Sequence, residues 1–206
     1  MSIAYPTAET LPLVVPYRPA RLSVADYHRL ISGGHLAQSN RIELLRGVLV
    51  EKMTHNPLHA ALIGILQKLI DGVLPAGFCT RTQLPITLRD SEPEPDLAIA
   101  RGELAEYLMR HPGPDDTQLV VEISASSLVT DRYKAEIYAE AGIPWYWIVN
   151  LTARRVEVYS QPAATPEGIR YGEPRIYQPG EMIPVIVADQ QVGSIAAEKL
   201  LPVVTG

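Results

Sequence analysis

The chain has 206 residues, 47% hydrophobic and 20% charged, with a net charge of −5 and one cysteine, Cys79. That length supports a single domain with its own core, and that composition excludes a disordered chain. A lone cysteine rules out an intrachain disulfide and a cysteine-rich zinc site, and it fits a reducing cytoplasm. The acidic balance argues against a nucleic-acid coat protein, but not against a nuclease whose acids hold a cation.

In chain order, residues 1–20 read as an irregular arm, rich in proline. Ser23, with Asp26 three positions on, forms a capping-box pattern that opens a short helix, which Gly33 and Gly34 end. Residues 41–53 read as two strands around a tight turn at Arg46 and Gly47. The clearest helix is 56–74: Asn56 is a natural N-cap, Pro57 takes the first helical position, and Leu58, Leu62, Ile65, Leu66, Leu69 and Val73 recur at helical spacing. Residues 77–89 suggest one or two strands, and Asp96–Ala100 a short one set off by Pro93 and Pro95. The spacing predicts a helix over 102–110, ended by His111, Pro112 and Pro114. Gln118–Ser124 is apolar and β-branched, as suits a central strand. A helix over Asp131–Ala141 stops at Gly142, with Pro144 beyond. Trp145–Asn150 and Arg155–Ser160 pair through a turn near Thr152. Two more strands fall within 169–187, and Ser194 is placed to cap a short C-terminal helix. Strands and helices mix throughout, so the expectation is an α/β or α+β fold around one sheet, with 21–206 as one domain. No apolar run is long enough to span a bilayer and no secretory leader is present, so no membrane partner is expected.

Two acids stand out because a carboxylate on a core strand is costly unless something pairs with it. Glu122 interrupts Leu119, Val120, Val121 and Ile123. Either it is bridged to Arg132 or Lys134 or faces solvent, or it belongs to a site. Asp96 sits at a strand mouth behind Pro95, a place where an acid also serves as an ordinary turn cap. Lys134 lies early in the next helix, where lysines are mostly solvated; beside Glu122 it would orient water or stabilise charge on a phosphate. Glu43 alternates with Ile42 and Leu44 and is either on a solvated face or a third cation ligand. Oxygen ligands of this kind suit Mg2+ or Mn2+. His55 and His59 have the spacing of a zinc pair but lack a third-ligand pattern. They read better as a cap-region histidine and a partly exposed one, with His59 also within reach of a phosphate. Ser124, Ser126 and Ser127 lack the surroundings of a nucleophile elbow and read as loop residues that satisfy backbone groups or touch phosphate. Tyr138 and Trp147, in an aromatic cluster, read as core or dimer contacts. Lysines and arginines form no stripe.

Ile42-Glu43-Leu44 with Gly47, Pro57-Leu58-His59, Gln83, Pro95-Asp96, Val121-Glu122-Ile123-Ser124 with Ser126, and Lys134 with Tyr138, Ala141-Gly142 and Trp147 together resemble the PD-(D/E)XK nuclease superfamily. More narrowly, they resemble its Uma-two-type family of restriction-endonuclease-like proteins. The resemblance covers roughly residues 21–160. It implies a central mixed sheet flanked by helices, with extra C-terminal strands, and metal-dependent hydrolysis of DNA phosphodiester bonds. Asp96 and Glu122 would be metal ligands for Mg2+ or Mn2+, with Glu43 as an auxiliary acid and further ligand. The superfamily's usual lysine lies two residues after the second acid; here that position is Ser124, and Lys134 would act from the next helix. Val48 stands where relatives often carry an acid. A cytoplasmic homodimer is expected. The alternative is a non-catalytic nuclease-fold module for binding or dimerisation, using the C-terminal strands; a hydrolase of another phosphate ester is a third reading.

Overall fold

A computed structural model describes residues 20–36, 42–52 and 56–203. Almost all of the expected N-terminal arm, and His55, lie outside the described residues.

The first helix, α1 (Val24–Ser32), opens on the capping box: the Ser23 hydroxyl accepts from the Asp26 N–H, and the Asp26 carboxylate accepts from the Ser23 N–H. Its buried Tyr27 donates its hydroxyl proton to the Ile42 carbonyl at 2.7 Å, which docks the helix on the next element. That element is a two-stranded ribbon, β1 (Ile42–Leu45) and β2 (Val48–Glu51). Arg46 (φ 48°) and Gly47 (φ 76°) turn the ribbon, and positive φ at both positions matches the right-handed twist of a two-residue hairpin. A side chain at Gly47 would also meet the Arg21 Cβ at 2.6 Å, so this turn needs glycine twice over.

Helix α2 (Pro57–Asp71) starts as expected, with the Asn56 side chain accepting from the His59 N–H and Pro57 in the first turn. The central sheet follows: β3 (Phe78–Arg81), β4 (Leu97–Arg101), β5 (Thr117–Ser124), β6 (Trp145–Asn150), β7 (Arg155–Ser160) and β10 (Arg175–Tyr177), with spatial order β10-β7-β6-β5-β4-β3. Among the described strands only β5 and β6 pair in parallel, and helix α3 (Leu128–Glu140) makes the crossover that such a pair requires. A small hairpin, β8 (Ala163–Thr165) and β9 (Gly168–Arg170), and a second, β11 (Met182–Val187) and β12 (Gln190–Ala196), complete the strands. No described helix is long and apolar enough to cross a membrane.

Strand alternation splits the sheet into two apolar faces. Leu97, Ile99, Leu119, Val121, Ile123, Trp147 and Val149 face α2 (Leu62, Leu66, Ile70) and the β11–β12 hairpin (Ile183, Val185, Ile195). Ala98, Val120, Tyr146 and Ile148 face α3 (Ala135, Tyr138) together with Leu45, Ile86 and Leu88. Covered on both faces, β5 is buried at all eight positions, which is why it reads as an almost unbroken apolar run. Each such Leu, Ile or Val contributes roughly 1.5–3 kcal/mol relative to exposure. Tyr138 and Trp147, placed by sequence in core or dimer contacts, are fully buried within the chain itself.

Several expected elements differ. The helix expected over 102–110 shrinks to a 3-10 turn at Leu104–Tyr107, because it only bridges two antiparallel neighbours and Gly102 leaves β4 at φ 83°. Within 77–89, where one or two strands are expected, one forms, β3. Helix α3 begins three residues before Asp131. Ser194 caps nothing: it lies in β12 opposite Pro184, since pairing with β11 overrides its local preference.

Candidate active site

The antiparallel register of β4 and β5 creates the site. Leu97 pairs with Val121, so Asp96, one step before β4, arrives opposite Glu122, one step after Val121. The Asp96 N–H donates to Glu122 Oε2 at 3.3 Å, and Asp96 Oδ2 accepts from the Ile123 N–H at 2.8 Å. The acids therefore share one strand end. Asp96 Oδ2 also lies 2.9 Å from His59 Nε2, brought in by the first turn of α2.

Glu122 has the strand parity of Val120, so it points toward α3. There Lys134 donates to Glu122 Oε1 at 3.0 Å, and Tyr138, one turn later, also donates to Oε1 at 3.3 Å. Lys134 reaches Glu43 as well, 2.9 Å from Oε1 and 3.0 Å from Oε2. Glu43 is fixed from behind by the Glu94 N–H, and β1 itself bridges to the segment before β4 through Leu44 and Glu92. None of these groups is solvated in the way an ordinary strand acid or helix lysine would be: Glu43 is 2% exposed, and Asp96, Glu122 and Lys134 are each 4% exposed. Arg132, the other sequence candidate to bridge Glu122, pairs with Glu157.

The cleft around these residues is also lined by Lys52, Asn56, Ser126, Ser127, Thr130 and Asp131. Sequence reasoning missed Asp131 and Lys52. Asp131 stands three residues before Lys134 on the same helix, and that spacing could have revealed it; Lys52 carries no comparable local signal. His59 is buried against Asp96 rather than partly exposed. Of the serines, Ser127 donates to Asp131 Oδ2 at 2.6 Å.

Crowded charge governs the electrostatics. Burial pushes Glu122 up to about 8; the Lys134 ammonium opposes this, while Asp96 and Asp131 add to it. Burial works against the charge on Lys134 too, but Glu122 and Glu43 more than offset it and hold the ammonium firmly protonated. Burial alone would raise Asp96, yet the bonds from His59 and the Ile123 N–H win and keep its carboxyl below the usual range. Asp131 is raised by burial against the pull of Ser127 and Lys134.

A pH dependence of stability follows. Between its ordinary value of 4.5 and about 8, folded Glu122 keeps a proton that the unfolded chain releases. The folded state then binds more protons, so this contribution is fully present below 4.5 and is lost as pH rises toward 8. Urea midpoints of the metal-free protein, measured across that window for wild type and Glu122→Gln, should show the wild type losing more stability with rising pH. Equal slopes would refute the assignment.

The donor set suits one kind of cation. Among the described residues no three His, Cys, Asp or Glu side chains gather as a metal cluster, so a fully caged ion is not provided for. Asp96 and Glu122 do provide two adjoining carboxylates, in a cleft whose lining carries five acids (Glu43, Glu51, Asp96, Glu122, Asp131) against two lysines. Mg2+ and Mn2+ fit this arrangement, since they accept one or two carboxylates and take remaining oxygens from substrate and water. Glu43 would join them only by giving up part of its bond to Lys134.

The fold is a mixed six-stranded sheet with helices on both faces and paired acids at one strand end. It is similar to the crystal structure of a "putative nuclease" from Anabaena variabilis, with a TM-score of 0.63 and 14% identity, covering 87% of this chain and 97% of that one. The chain belongs to the Uma2 family, described as "Putative restriction endonuclease", whose model matches residues 24–193. No curated protein matches it.

Proposed function

We propose that the protein is a metal-dependent endonuclease that hydrolyses phosphodiester bonds in DNA. The observation that carries this reading is the convergence of Asp96 and Glu122 on one strand end beside a buried lysine that bonds to both Glu122 and Glu43. Asp96 and Glu122 would hold Mg2+ or Mn2+, with Glu43 as the auxiliary acid. The bound cation would polarise the phosphate and lower the pKa of a water at the site. Lys134 would stabilise negative charge that develops on the phosphate. Because it stays protonated, it does so as a fixed cation and not as a base. His59 and the Ile123 N–H hold Asp96 ionised and oriented.

The test pairs calorimetric titration with Mn2+ and cleavage assays on DNA and RNA. Wild type should bind Mn2+ and cut DNA, and Asp96→Asn should lose both. No binding at millimolar Mn2+ and no cleavage would instead favour a non-catalytic module that keeps the fold.

A further inference from the structure

Lys134 is bonded to both Glu43 and Glu122, so a hydrolase at this site needs another group to take the proton from the attacking water. The cleft offers few. Glu43 is committed to Lys134 and to the Glu94 N–H. Glu122 is committed to Lys134, Tyr138 and the Asp96 N–H, and His59 Nε2 to Asp96. Glu51 is exposed on the ribbon. Asp131 also has a partner, but it is a neutral hydroxyl, that of Ser127. Asp131 is 4% exposed, lines the cleft, and sits one turn before Lys134 on the same face of α3. Ser127, at the start of the helix, steers its carboxylate through Oδ2.

We propose that Asp131 is the general base of the reaction, a role that rests on the hydrolase reading above. As the water oxygen forms its bond to phosphorus, one water proton passes to the Asp131 carboxylate. The bond from phosphorus to the leaving sugar oxygen breaks, and that oxygen takes a proton from solvent. Asp131 then returns its proton to solvent. Burial raises the proton affinity of Asp131 above that of an ordinary aspartate, which makes it a better acceptor. Besides burial, the groups that set this affinity are the Ser127 hydroxyl at the helix cap, Lys134 on the same helix, the Ser124 hydroxyl at the end of β5, and Asp96 at the β4 end; Glu122 on β5 shares the same field.

Asp131→Asn keeps the shape and removes the base. With saturating Mn2+ it should cut DNA ~10²-fold more slowly, the usual scale for losing a general base. Its Mn2+ affinity by calorimetry should stay within about twofold of wild type, since metal ligands lose 10-fold or more on substitution, roughly the scale seen when even their supporting partners are removed. Its rate should also climb with pH where wild type levels off, as hydroxide replaces the lost base. Thermal melting and a parallel Asp131→Ser variant exclude misfolding as the cause. A full-rate Asp131→Asn enzyme would overturn the assignment, as would loss of Mn2+ binding in step with activity, which would make Asp131 a ligand. If wild type itself cleaves no nucleic acid, the hydrolase reading fails first and takes this proposal with it.

Discussion

Glu122→Gln should lose Mn2+-dependent cleavage by at least ~10²-fold, because in the proposed mechanism the charge it removes is the one that holds the cation. The substitution is nearly isosteric. A glutamine there can still accept from Lys134 and Tyr138, which now donate to Glu122 Oε1. The fold should therefore persist, and the loss should appear in Mn2+ affinity and kcat together. Since Glu122 is already pushed up to about 8 without metal, the folded apo-protein tolerates a neutral side chain at this position. The measurement is metal-dependent nuclease activity of a preparation whose melting matches wild type. Cleavage retained at the wild-type rate would eliminate Glu122 as a ligand.

Lys134→Ala should be the most destabilising change in the site. The Lys134 ammonium neutralises two carboxylates that are almost completely buried, Glu43 and Glu122. Removing one partner from such a buried arrangement costs about 3–5 kcal/mol. The cost should be largest near pH 8 and shrink toward pH 6, because Glu122 accepts a proton in that range and relieves its own repulsion. Lys134→Met keeps most of the stem and removes only the charge, so it separates lost packing from lost neutralisation. Urea denaturation of both variants at the two pH values measures this. Cleavage by either variant at the wild-type rate would remove Lys134 from the chemistry while leaving the two-carboxylate site intact.

The parts of the site legible in the sequence are those whose signal is local. Glu122 stands out because it interrupts an apolar run that strand pairing must bury, and Asp96 because it stands at the mouth of one; the register then places them side by side. Lys134 was legible only through its nearness to Glu122 along the chain. The Glu43–Lys134 bond joins residues 91 apart, and nothing along the chain specifies it. The burial of His59 against Asp96 likewise depends on how α2 lies over the strand ends. Asp131 carried a weak helical-spacing signal that was hidden by its place in the first turn, where acids are commonplace. The same contrast holds for the fold. Caps and turns such as Ser23, Asn56 and Gly47 behave as their chemistry dictates. Ser194 has good capping chemistry and yet is a strand residue, because partnership with β11 outweighs a preference worth about 1 kcal/mol.

Asp96 receives its orienting histidine from the helix on one face of the sheet, while Glu122 receives its lysine and tyrosine from the helix on the other. The gap between the two carboxylates is meanwhile set by main-chain pairing between neighbouring strands, which side-chain exchange hardly moves. Spacing and tuning are thereby inherited separately. Descendants of this scaffold are free to retune the acidity of either carboxylate through one covering layer, with the other layer and the spacing of the pair left untouched.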